Sequence, residues 1–170
     1  QNGEDGILEE LIKRINLKEI EVCEFGAWDG KHYSNTFNLV ENYSAKAVYI
    51  EQDSARFNDL IETSKNFKNI LPINSSINLN ENLFDKVVSN TFLKKNFDIL
   101  SIDIDSNDLE VWESIENYKP KIVIIEISSY ILPGKLERYD FEKNTKNSFT
   151  STINVGKSKE YKPIPHIENR

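Results

Sequence analysis

The chain predicts an α/β fold: an open, mostly parallel sheet with helices on both faces. Three observations carry this. Short β-prone runs alternate with helix-period segments along the whole chain. Each apolar run ends in polar or glycine-containing residues, as strand-to-helix crossovers require. The run KIVIIEI at 121–127 is almost continuously apolar, which suits a central strand covered on both faces.

Taken in order, residues 4–16 form an amphipathic helix, with Ile7, Leu8, Leu11, Ile12 and Ile15 on one face and Glu9, Glu10, Lys13 and Arg14 mostly opposite. A strand at 20–25 runs into the turn Gly26-Ala27-Trp28-Asp29-Gly30. Ser34 or Asn35 caps the next helix, to which Phe37, Leu39 and Val40 give apolar contacts. A buried strand at 47–50 ends in Glu51. A helix at 54–66 turns Phe57, Leu60 and Ile61 inward, and a third strand at 70–73 ends in Asn74-Ser75-Ser76. Residues 83–92 read as a short helix or irregular segment. The fourth strand, 97–102, delivers Asp103-Ile104-Asp105-Ser106-Asn107-Asp108. A helix at 109–118 stops before Pro120, and the strand at 121–127 carries Glu126 at its end. Residues 128–146 are polar and irregular, long enough to be a lid or substrate loop. A further helix is expected at 149–161, and 161–167 is a final strand or tail.

The organisation is one domain over 1–170: an N-terminal helix at 4–16, a core at 20–127, the loop at 128–146 and a C-terminal helix and tail at 147–170. The antiparallel strand pair that closes such sheets is expected to be incomplete. A net charge of −7 argues against a nucleic-acid groove or an anionic membrane surface. Mean hydropathy of −0.53 fits a polar globular chain, and no run approaches the roughly 20 apolar residues that span a bilayer. The single cysteine, Cys23, reads as a buried small apolar residue, without disulfides or a thiolate metal site. A cytoplasmic setting is the default.

In open parallel sheets ligands lie outside the carboxyl ends of the strands. Here those five ends carry residues 26–30, Glu51, Asn74, the acidic run 103–108 and Glu126. Two glycines four apart allow a sharp turn and close approach of a ligand. Glu51, 25 residues after Gly26, is placed to accept two hydrogen bonds from a ribose diol. The turn lacks the Gly-x-Gly pair of dinucleotide sites. It sets Glu24 and Asp29 beside the ligand path, where two carboxylates repel a pyrophosphate but suit an ammonium and a sulfonium. The cofactor this indicates is S-adenosyl-L-methionine. Contacts are expected from Glu24, Gly26, Ala27, Asp29, Gly30, Asn35, Glu51, Gln52, Asn74, Ser75 and Asp103. Trp28 either lines the pocket or packs in the core.

The stretches Gln1-Asn2-Gly3-Glu4-Asp5-Gly6-Ile7, Glu24-Phe25-Gly26-Ala27-Trp28-Asp29-Gly30, Val48-Tyr49-Ile50-Glu51, Asp98 through Asp105 and Ile124-Ile125-Glu126 together resemble the FkbM-like group of S-adenosylmethionine-dependent methyltransferases. The resemblance implies a Rossmann-like class I methyltransferase fold and methyl transfer, commonly to a hydroxyl oxygen of a sugar or natural product. It matches Glu24, Gly26 and Gly30 to the cofactor turn, Glu51 to the ribose acid and Asp103 to the acid after the fourth strand. The chain departs at Asp105-Ser106-Asn107-Asp108, where many members have a glycine after that acid.

Transfer to an alcohol needs alignment of donor and acceptor and removal of the hydroxyl proton. Asp103, Asp105 and His32 are the candidate catalytic residues, with Glu126 beside them. Asp103 serves as base or holds the cofactor's ammonium; His32 is a base or a solvated cap. No dedicated metal site is expected. A Mg²⁺ held by Asp103, Asp105, Asp108 and Glu126 is the lesser alternative. The acceptor is a small molecule or glycan. A nicotinamide-dependent oxidoreductase and a non-catalytic cofactor-binding or interaction module remain as other readings.

Overall fold

A computed structural model describes residues 3–164. Gln1 and Asn2 of the first matching stretch, and the end of the 161–167 strand or tail, lie outside the described residues. The elements are α1 (Glu4–Ile15), β1 (Glu21–Phe25), α2 (Phe37–Tyr43), β2 (Lys46–Glu51), α3 (Ser54–Asn66), β3 (Ile70–Asn74), α4 (Phe84–Val87), β4 (Ile99–Ile102), α5 (Asp108–Ser114), β5 (Ile122–Ile125) and α6 (Phe149–Ser158). Among the described residues the five strands form one sheet in the order β3-β2-β1-β4-β5, and every pairing is parallel.

The period of two along the strands sorts their side chains onto two faces. Val22, Ala47, Tyr49 and Ile99 pack with Leu8 and Ile12 of α1, Leu39 and Val40 of α2 and Leu60 of α3. Cys23, Phe25, Val48, Ile50, Leu100 and Ile102 pack with Phe84 of α4, Leu109 and Trp112 of α5 and Val155 of α6. Two apolar layers thus sandwich one sheet, and β1 and β4 are buried along their whole length. Cys23 is a free, fully buried thiol, and burial pushes its pKa up. No described helix is long and apolar enough to cross a membrane.

Two expectations need correction. The apolar run at 121–127 is not covered on both faces as expected: among the described residues β5 is the last strand of the sheet and is half-buried throughout. The other edge, β3, carries Pro72, which has no N–H to offer a further strand. The helix predicted at 109–118 ends at Ser114, because Ile115 turns to an extended conformation. The Asp85 carboxylate there accepts the backbone N–H groups of Glu116 and Asn117 at 3.1 and 2.9 Å, and Lys159 Nζ donates to the Ile115 carbonyl. Of the two readings for the end of the chain, strand or tail, Tyr161–Ile164 forms no strand; the Tyr161 hydroxyl donates to the Pro120 carbonyl, just before β5, and ties down the chain after α6.

The loop at 128–146 is irregular as expected, but it is fastened down. The Ser148 hydroxyl donates to the Lys135 carbonyl at 2.8 Å and accepts the Glu137 N–H at 3.2 Å, and Asn147 Oδ1 accepts the Tyr139 N–H at 3.0 Å. Arg138 pairs with Glu113 on α5 at 2.6 Å. The loop is also less polar than its sequence suggests, since Tyr130, Leu132, Leu136 and Phe141 are all exposed on it.

Candidate functional site

The C-terminal ends of the strands meet at one edge of the sheet. There β1 gives way to a turn in which every second residue is left-handed: Gly26 at φ 81°, Trp28 at 48° and Gly30 at 78°. Gly26 is obligatory for a second reason. A Cβ on it would lie 1.7 Å from the Asp103 carbonyl oxygen, so the β1 and β4 ends can approach only without a side chain there. At Gly30 a Cβ would press on Leu60 and Tyr49. Trp28 adopts the same conformation at a cost of about 1–2 kcal/mol. The sequence spacing G-x-x-x-G therefore hides a backbone with three left-handed positions, which residue identities alone did not reveal.

Glu51 holds this turn in place. It is 3% exposed. One carboxylate oxygen accepts the Trp28 N–H and the other the Asp53 N–H, each at 2.8 Å. The N–H groups of Gly26 and Ala27 both reach the Ile50 carbonyl at 3.1 Å. Ala27 is fully buried under the turn. Asn74 ties in the end of β3 by donating to the Glu51 carbonyl at 2.8 Å, and the Ser75 N–H reaches the same carbonyl at 3.1 Å. Gln52 is exposed between them.

Glu24 and Asp29 both direct their oxygens at the loop itself rather than into an open ligand path. Glu24 is 2% exposed. It accepts the hydroxyls of Ser34 and Thr36 at 3.0 and 2.5 Å and the N–H groups of Asn35 and Thr36, each at 3.2 Å. Burial pushes its pKa up to about 7, against the pull of those bonds. Thr36 passes the network to the Tyr49 hydroxyl. The N-cap of α2 is Thr36 rather than Ser34 or Asn35, although the Ser34 hydroxyl oxygen, two residues earlier, accepts the N–H groups of Thr36 and Phe37 at the helix entrance. The Asn35 side chain donates to the Ser101 hydroxyl at 3.1 Å and so bridges the loop to β4. Asp29 accepts the N–H groups of Lys31 and His32 and pairs with His32 Nδ1 at 2.6 Å. Burial works to raise the Asp29 carboxyl, but these bonds hold it below its usual range. His32 is thus a partner of Asp29 on an exposed loop, and its ring lies beside Trp28.

On the other side of the edge the chemistry is carboxylate against carboxylate. Asp103, Asp105 and Glu126 each bring one oxygen within 4.8 Å of the others. Burial, then the charges of Glu126, Asp105 and Asp108, push the Asp103 pKa up to about 6. Asp108 is not a fourth ligand in this group. It is 4% exposed and folds the 103–108 turn by accepting the N–H groups of Ile104 and Ser106 at 2.8 and 3.0 Å. Lys146, which the sequence did not single out, reaches in from the long loop to 3.3 Å from Asp105 and 3.7 Å from Glu126. A small cleft lies here, lined in part by Asp105, Ser106, Glu126 and Lys146.

No protein-family model and no curated protein sequence matches the chain. Solved structures do. The methyltransferase domain of bacterial CtHen1-CN superposes with a TM-score of 0.54 at 16% identity, over 95% of this chain and 87% of that one. A SAM-dependent methyltransferase from Aquifex aeolicus gives 0.49 at 14% identity, over 89% and 77%. M. capricolum TrmK, in complex with S-adenosyl-homocysteine, gives 0.46 at 19% identity over 68% of this chain, which spans 50% of TrmK's length. The CtHen1-CN domain decides the architecture. The fold is that of the class I methyltransferases.

Within the class I fold, the structure brings Gly26, Ala27, Glu51, Asn74, Ser75, Asn35 and Asp103 to one edge of the sheet, and Asp105 joins them from the β4 turn. It leaves His32 and Asp29 paired with each other on the loop. The inward turn of Glu24 was readable from strand parity: two residues on from Val22, it shares the face of Val22 and Tyr49. Lys146 carried no such signal, since it lies 20 residues beyond Glu126 in an irregular segment.

Proposed function

We propose that the chain is an S-adenosyl-L-methionine-dependent methyltransferase of the FkbM-like kind, acting on a hydroxyl oxygen of a sugar or small hydroxylated metabolite in a cytoplasmic setting. The observation that carries this reading is the left-handed turn at 26–30 suspended from the buried Glu51 carboxylate at the strand ends of a class I sheet. Glu51 fits the cofactor. Each of its oxygens accepts one backbone N–H and keeps a lone pair for a ribose hydroxyl. Gln52, Asn74 and Ser75 stand beside it for the base, and Gly26, Ala27 and Asn35 border the path toward Asp103. When bound, the cofactor supplies an activated methyl group on a sulfonium.

The chain's own residues then have two tasks. The turn and Glu51 fix the donor's position, so that the acceptor oxygen can approach in line. Asp103, its carboxyl raised to about 6, takes the hydroxyl proton at a pKa close to working pH. Asp105 and Glu126 border the acceptor, and Lys146 balances their charge. Their oxygens would also suit Mg²⁺, but the ammonium already beside Asp105 and Glu126 supports the metal-free version. The net charge of −7 supports a small-molecule or glycan acceptor rather than nucleic acid or membrane.

One observation favours a second reading, a cofactor-binding module without transfer: the Lys146 pairs lie across the small cleft on the acceptor side. Calorimetric titration with S-adenosylmethionine, S-adenosylhomocysteine and NAD tests the cofactor. Both sulfur ligands are expected to bind, with at least roughly tenfold weaker affinity in Glu51→Ala, as loss of a charged hydrogen-bond acceptor implies. Binding of NAD in their place would overturn the reading in favour of a nicotinamide enzyme. Methyl transfer to hydroxylated acceptors would then separate the enzyme from the module.

A further inference from the structure

Trp28 occupies a backbone position made for glycine, and its ring is not in the core. It is 37% exposed, whereas Trp112, the other tryptophan, is 5% exposed and packed between α5 and the sheet. The indole is nonetheless held firmly. The Arg56 guanidinium, from the first turn of α3, lies 4.5 Å from its ring centroid. The rings of His32 and Tyr33 stand 6.4 and 6.0 Å away. Tyr33 is itself left-handed, at φ 57°. Two bulky aromatic residues in a strained conformation within six residues of chain, both exposed, contribute little to packing. Strain of this kind, where the surrounding structure enforces it, is a pointer to function.

Position gives that pointer a direction. The Trp28 N–H is bound by Glu51 Oε2 at 2.8 Å, so the backbone that carries the indole lies against that carboxylate. The geometry points to Trp28, fixed by Arg56, as the stacking wall of a nucleoside subsite: the indole takes the flat face of a purine whose ribose Glu51 holds. The assignment rests on the cofactor reading above. It explains why a glycine position carries the largest aromatic side chain, and why a cation backs that ring instead of pairing with a carboxylate.

The test uses S-adenosylhomocysteine as probe. Trp28→Gly relieves the backbone, so the variant is expected to melt no earlier than wild type. Its affinity by calorimetry is expected to fall roughly five- to 100-fold, the range that loss of one base-stacking ring produces, while Trp28→Phe keeps most of it. Wild-type tryptophan fluorescence shifts on titration; Trp28→Gly, reporting from Trp112 alone, stays constant. Should the glycine variant melt early, Trp28→Asn, also at ease in the left-handed region, is expected to show the same loss. Wild-type affinity in a folded Trp28→Gly or Trp28→Asn overturns the stacking wall and leaves the cofactor reading standing. Absence of binding to the wild-type chain overturns both.

Discussion

The two halves of the strand-end surface are built on different principles. On the β1–β2 side a turn is held by backbone hydrogen bonds: Glu51 takes two N–H groups, Glu24 takes two more with two hydroxyls, and the Ile50 carbonyl receives another pair. On the β4–β5 side Asp103, Asp105 and Glu126 face each other across a few ångströms, with Lys146 as the counter-charge. The first half is fixed in shape before any ligand arrives. The second is set by charge against charge around Asp103, whose carboxyl, like the buried Glu24 of the first half, titrates close to neutral pH. On the proposed function, the difference separates two jobs. Holding a cofactor of constant chemistry rewards rigid geometry, whereas moving a proton requires a pKa near the working range.

Substitutions can break or sharpen this contrast. The largest effect is expected at Gly26, where the halves touch. Gly26→Ala forces a Cβ against the Asp103 carbonyl as well as straining φ, and should destabilise by about 3–5 kcal/mol, lowering Tm by about 10 °C. Gly134→Ala is the control. That glycine has a similar φ, 93°, but open space around it, and only about 1–2 kcal/mol should be lost. Equal melting shifts by calorimetry would mean that the contact between β1 and β4 is not what matters.

The next effect concerns Glu24. Its folded pKa of about 7 lies above the ordinary 4.5. Its contribution is therefore fully present below pH 4.5 and is lost as pH rises through 7. Urea unfolding of wild type and Glu24→Gln across pH 4.5–7.5 should diverge in slope, with the variant flatter and only the smaller slope from Asp103 remaining. Parallel curves would show that Glu24 does not titrate in this window. The smallest effect is on the charged side. Lys146 draws the Asp103 pKa down, so Lys146→Met should move the Asp103 carboxyl titration, followed by carbon-detected NMR, above about 6. An unmoved curve would remove Lys146 from the account.

Much of this was legible in the chain. All five strands, their parallel sense and the residues at their ends follow from periodicity and punctuation, because these report burial on two faces. What failed shared one cause: the information lay in a distant partner. KIVIIEI encodes apolar faces but not whether another strand lies alongside, so β5 read as central although among the described residues it is the outermost strand. The early stop of α5 depends on Asp85, some 30 residues away in sequence. Lys146 depends on the path of an irregular loop. The left-handed backbone of Trp28 went unread for another reason, because a residue's name does not disclose its φ.

The central seam of the sheet has a further consequence. Val22 of β1 lies beside Ile99 of β4, so the strand ends on one side of the seam come from residues before 75 and those on the other from residues after 98. On the proposed function, the two jobs are thus written in separate stretches of the gene. A later stretch that recodes the acceptor side can be exchanged without editing the codons of the cofactor turn, provided the residue facing Gly26 keeps its carbonyl where it is. The fold in this sense is a fixed handle with a replaceable bit, and the joint between them is a missing side chain.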